Sequence, residues 1–130
     1  MDTRDQFIAE FRGKTLGIIT SQSTTEESFQ NEVLRPILKL QNEMICKVFL
    51  HHLKKNKIDF NSFSLDKKLK TIDNAVQKDI KFRNSLKGIV IGLFTISEYE
   101  NYITNTSNIN KRMMSMLIER LKSQIQLLNI

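Results

Sequence analysis

A chain of 130 residues, 40% apolar and 26% charged, has the size and make-up of one soluble globular domain with its own hydrophobic core. Its longest apolar run, "GIVIGLF", falls far short of the roughly 20 residues of a membrane span, and its single cysteine, Cys46, excludes an intrachain disulfide and suits a reducing cytoplasm. The net charge of +6 is uneven: eleven basic residues face four acidic ones between Lys47 and Lys87, which gives +7 there and −1 elsewhere.

In chain order, the opening "MDTRDQFIAEFRG" is charged and amphipathic and lacks the apolar core of a signal peptide. Its pattern predicts a helix from Thr3 to Phe11 with Phe7, Ile8 and Phe11 on one face, stopped by Gly13. "LGII", residues 16–19, is the one place for a short strand. Thr24 or Thr25 then caps a helical stretch that begins with Glu26 and Glu27 and runs to about Lys55. Pro36 lies inside it, so a break near Leu34 and Arg35, or a kink, is expected.

After the turn-rich "KKNKIDFNSFS", Ser64 caps a long helix. Leu65, Leu69, Ile72, Val76, Ile80, Leu86, Val90 and Leu93 fall on its inner side. Lys67, Lys70, Lys78 and Lys81 fall on the outer side, spaced as one stripe. "TISE" at Thr95 is a capping box and starts a short helix, Ile96 to Ile103. The last helix, from about Ile109 to Leu128, puts Met113, Met114, Leu117, Leu121 and Leu128 on one side. The fold class is therefore all-α: a bundle of five or six helices over residues 1–130, with at most one short strand.

Few groups in this pattern can do chemistry. His51 and His52 are the only histidines, and adjacent helical residues point about 100° apart, so one metal ion does not readily take both. No H-E-x-x-H, G-x-S-x-G or phosphate-cradling glycine loop is present, and "RGKTLG" lacks the spacing and the preceding strand of one. Cys46 sits in the apolar "MICKVF", where a thiol is an inert core residue. No catalytic residue, metal or cofactor is expected.

Asp79 and Arg83 are the exception, a carboxylate and a guanidinium four residues apart in an apolar seam, with Gln41 at the matching place one helix earlier. Buried charges are costly unless paired. The three residues are then either a structural ion pair that fixes helix register or the lining of a small-ligand pocket, unless the helix turns both charges outward.

The segments "FQNEVLRPILKLQNEM", "QKDIKFRNSLKGIVIGLF" and "NKRMMSMLIERLKSQIQLL" together resemble a group of short bacterial proteins, some of which carry a glyoxalase label. That group brings no established activity. The label implies paired βαβββ modules with metal ligands on strands, and this chain has neither the strand succession nor the histidines, so no catalytic residue is carried over.

These observations point to a non-catalytic helical protein that works by association. Self-association into a homodimer through the apolar side of the last helix, or contact with another protein, comes first. Nucleic-acid binding by Lys67, Lys70, Lys78 and Lys81 is the first alternative, set against the bland solvated surface that fourteen lysines and six arginines produce. A ligand pocket at Gln41, Asp79 and Arg83 is the second.

Overall fold

A computed structural model describes residues 3–13 and 25–128. Helix accounts for 85% of them, and no strand occurs among them. The strand expected at residues 16–19 and the cap expected at Thr24 lie outside the described residues. None of the described helices is long and apolar enough to cross a membrane.

The helices are α1 (Thr3–Phe11), α2 (Thr25–Phe29), α3 (Arg35–Leu40), α4 (Asn42–Lys55), α5 (Leu65–Lys78), α6 (Ile80–Ile91), α7 (Ile96–Ile103) and α8 (Thr106–Ser123). A π turn, Gln30–Leu34, joins α2 to α3, and 3-10 turns occur at Phe60–Ser62 and Ile125–Leu128. α8 is the central post: Ile109, Met113, Leu117, Ile118 and Leu121 are buried along it, and α2, α3, α4, α5 and α7 all touch it. Phe49 locks the middle of the core, edge-on to Phe60 at 5.7 Å and tilted against Phe82 at 6.0 Å.

The expected caps form. Ser64 accepts from the Lys67 N–H at 3.2 Å, and Thr95 with Glu98 makes a complete capping box. Gly13 ends α1 with φ +59°, where a side chain would be strained. Pro36 acts more gently than expected. The backbone stays helical through Leu34 and Arg35, and the chain absorbs the proline in the π turn just before it. Pro36 has no N–H to offer the Glu32 carbonyl four residues back. Arg12 Nη2 donates to that carbonyl instead, at 3.3 Å.

Two residues divide the bundle more finely than the five or six helices expected. Gln41 (φ −93°, ψ 8°) dislocates α3 from α4, and Asp79 (φ −88°, ψ 100°) is extended and separates α5 from α6. Each interruption rotates the helix beyond it. Ile80, expected inside, is 61% exposed, while Phe82, Leu86 and Val90 become the inner face of α6. Met44, beyond Gln41, turns outward in the same way, and Leu65 and Leu40, ahead of the two breaks, are exposed as well.

The inner face of α1 is also different from expectation. Ile8 is buried, but Phe7 and Phe11 are 70% and 57% exposed. The residues facing inward beside Ile8 are Asp5 and Arg12, both buried. They grip the corner between α6 and α7. Arg4 donates to the carbonyls of Gly92 (3.1 Å) and Phe94 (3.0 Å), and Arg12 donates to that of Leu93 (3.2 Å). Both carboxylate oxygens of Asp5 lie 3.0 Å from the Ile96 N–H, an otherwise unpaired amide at the start of α7. Arg12 Nη1 also donates to Glu98 Oε1 at 2.5 Å, and the two side chains are 1% and 8% exposed.

Breaking a buried ion pair leaves a charge without compensation, so Arg12→Met should cost about 3–5 kcal/mol. Lys70→Met, at an exposed i,i+4 pair with Asp66, should stay within about 0.5 kcal/mol of the parent. Urea titrations of both variants check the contrast.

Candidate functional site

Gln41, Asp79 and Arg83 do not form the buried cluster expected of them. Asp79 is the N-cap of α6, and its Oδ1 accepts from the Phe82 N–H at 3.1 Å. Arg83 is half-buried and reaches back across the break, where its Nη1 donates to the Gln77 carbonyl at 3.1 Å. Gln41 is the hinge between α3 and α4, with its backbone bonded to Ile37 and Ile45. Asp79 and Arg83 line separate surface depressions, and Gln41 lines neither of them. The physical reason is the break itself: a capping aspartate has its carboxylate turned toward the first-turn amides, and away from an i,i+4 partner.

What the break does bring together is Asp79 and His52. His52 Nε2 stands 3.9 Å from Asp79 Oδ2, too far for a hydrogen bond, and its ring stacks on Phe82 at 4.2 Å. Burial lowers the His52 pKa from its ordinary 6.5, against the upward pull of the Asp79 carboxylate and with a smaller push from Lys55. The imidazole is therefore neutral at pH 7. No sequence signal links these residues, because they come from different helices twenty-seven positions apart.

His52 and Asp79 stand at one side of an open groove of about 760 Å3. Its apolar lining comes from Ile58, Phe63, Ala75 and Ile80. Lys67, Lys78 and Lys81 line it too, so three of the four residues of the lysine stripe share it, while Lys70 does not. All four are exposed, as the stripe requires. Lys67 is the most constrained, with its ammonium 4.0 Å from the Phe63 ring centre. The groove can bind, but it has no nucleophile poised for reaction: its hydroxyl, Thr71, donates to the Lys67 carbonyl at 2.7 Å. Cys46 is remote from solvent, and burial pushes its thiol pKa up. No cluster of three or more metal-ligating side chains exists among the described residues.

The apolar side of the last helix, expected to cover a partner, faces inward. Leu117, Leu121 and Leu128 are packed inside at 0–1% exposure and cannot cover a partner, and Met114 is half-buried against the same core. The unpartnered apolar side chains of α7 are Ile96, Tyr99 and Ile103, 47%, 44% and 53% exposed, at spacings that put them on one stripe. Thr95, Glu98 and Tyr102, each one residue earlier, form the neighbouring stripe that faces inside. α1, fastened to the start of α7, adds exposed Phe7 and Phe11.

Comparison with protein-family models, with curated proteins and with solved structures finds no match to this chain.

This geometry makes two outcomes measurable. Asp79→Ala should lose the cap at about 1 kcal/mol, Arg83→Ala should lie within about 0.5 kcal/mol of the parent, and the double variant should equal their sum, as urea denaturation will read. For His52 the folded-state pKa is below the unfolded value, so the unfolded chain takes up a proton first as pH falls. Stability should then be full above pH 6.5 and decline as pH drops below it toward the folded-state pKa. Thermal melts of His52→Phe, which keeps the stack on Phe82, should show a shallower decline below pH 6.5 than the parent.

Proposed function

We propose that this protein is a non-catalytic association module whose primary partner is a second copy of itself, met through the stripe Ile96, Tyr99 and Ile103 on α7. The observation that carries the reading is one of charge. The chain holds twenty lysines and arginines, yet none occurs from Gly88 to Asn110. A protein of net charge +6 repels its copy over most of its surface. The α7 stripe is the exposed apolar surface inside that cation-free stretch, and one of its two carboxylates, Glu98, is buried against Arg12.

Tyr and Ile side chains exposed in a row on one helix favour an isologous contact, in which each α7 packs on the other about a two-fold axis. Exposed Phe7 and Phe11, on the helix fastened to the same corner, supply further apolar area. The absence of a poised nucleophile in the lysine-rimmed groove supports binding over catalysis.

Light scattering over a concentration series tests the reading. The mass should rise from 15.2 kDa toward about twice that value in the high micromolar range. Tyr99→Lys combined with Ile103→Lys, which places cations on the apolar stripe of α7, should hold the protein monomeric. Ile80→Lys, on an apolar residue equally exposed but outside α7, should leave the dimer unchanged. A mass fixed at the monomer value throughout would refute self-association.

A further inference from the structure

A second groove, of about 780 Å3, lies along α8 beside α2 and α3. Arg35, Arg112 and Arg120 line it together with Lys111. Half of the six arginines of a lysine-rich chain thus stand in one depression. They come from two elements that are distant in sequence, so the convergence is a product of the fold.

The charges in this groove are unequally engaged. Arg112 is held in place: its Nη1 donates to Gln30 Oε1 at 2.6 Å and its Nη2 stands 3.8 Å from Glu26. Glu26 is also engaged by the side-chain amides of Asn105 (2.8 Å) and Asn108 (3.2 Å), which donate to its Oε1. Among the described residues Arg35 has a single, neutral partner, Asn31 Oδ1 at 3.3 Å. Arg120 and Lys111 make no side-chain hydrogen bond or ion pair among the described residues. Glu119 is the remaining acid of the lining, so three cations without an acidic partner face one exposed carboxylate.

We infer that this groove is a binding site for an oligophosphate, a short row of phosphate groups such as inorganic tripolyphosphate or the phosphate tail of a nucleotide. Guanidinium forks suit phosphate because their planar donors meet two oxygens at once. Lys111 and Arg120 lie nine residues apart on α8, about 14 Å, so the cations are arrayed along the groove and favour an extended anion over a single phosphate. The volume lies within the range of small-molecule sites. No aromatic ring among the described residues lines the groove, so it lacks the aromatic platform of single-stranded nucleic-acid sites. The site is separate from the α7 contact, and neither reading needs the other.

Titration calorimetry of the intact protein tests the site with sodium tripolyphosphate, a nucleoside triphosphate and orthophosphate. Tripolyphosphate should bind about tenfold or more tightly than orthophosphate, with an affinity that falls as salt rises. Arg35→Glu and Arg120→Glu should each weaken it by about tenfold or more, because each replaces an attraction with a repulsion. Glu119→Gln should strengthen it, and Lys70→Glu, an equal charge change outside the groove, should leave it within about twofold. Equal binding of the triphosphate and tripolyphosphate assigns recognition to the phosphates alone, and tighter triphosphate binding adds a contact to the nucleoside; both support the site. No tripolyphosphate binding at millimolar concentration overturns the inference. So does a loss on Lys70→Glu as large as that on Arg35→Glu, or tighter binding of a single-stranded oligonucleotide than of tripolyphosphate.

Discussion

The buried guanidinium of Arg12 is the constraint around which the rest of this structure is arranged. A charge so far from water is tolerated only when its countercharge and its terminal donors are met in good geometry, and here Nε alone is buried without a partner among the described residues. Arg12 finds the carboxylate of Glu98 and the carbonyl of Leu93 at the α6–α7 corner, and the carbonyl of Glu32 in the π turn. Each partner has its own reason to be there. Glu32 has a carbonyl that Pro36 cannot serve. Leu93 lies just past the end of α6. Glu98 is already turned inward because its carboxylate accepts from the Thr95 N–H at 2.8 Å. One side chain therefore ties α1, the π turn and the α6–α7 corner into a single arrangement. Lysine, with one compact ammonium, could not span the same set.

Helix interruptions do comparable work for the surface. At Asp79 and Gln41 the chain leaves helical geometry for one residue and re-enters it rotated. The cost at Asp79 is offset by the side-chain cap on Phe82, and the gain is that Phe82 enters the core against Phe49 and His52. Ile80, displaced outward, is the by-product. Ile80 then contributes to the lysine-rimmed groove, so a surface feature arises from a packing choice made one residue earlier.

Much of this was legible in the sequence, and the failures have definite causes. The helical period, the capping box at Thr95, the cap at Ser64 and the stop at Gly13 are local signals, written in residues within one turn of each other. The break at Asp79 was hidden because the apolar spacing from Leu65 to Leu93 continues across it, and an aspartate without Glu or Gln three residues on gives only half a capping signature. α1 misled because its hydropathy is inverted: its charged residues face inward and its phenylalanines outward. The Asp79–Arg83 site followed from the missed break. The arginine groove and the His52–Asp79 contact carry no local mark at all, since each joins residues that only the folded chain brings together.

The grip of α1 on the α6–α7 corner has a dynamic corollary. Ile8 is the one apolar side chain that α1 buries, so the helix is held mainly by polar bonds to the body of the protein. Such a unit opens on its own, below the free energy of global unfolding. The Ile96 amide takes its protection from Asp5, a residue of α1, and from no turn of its own helix. In native-state hydrogen exchange the first amide of α7 would therefore keep time with α1, 91 residues from Asp5 in sequence, and not with the amides from Tyr99 onward, which are bonded within α7.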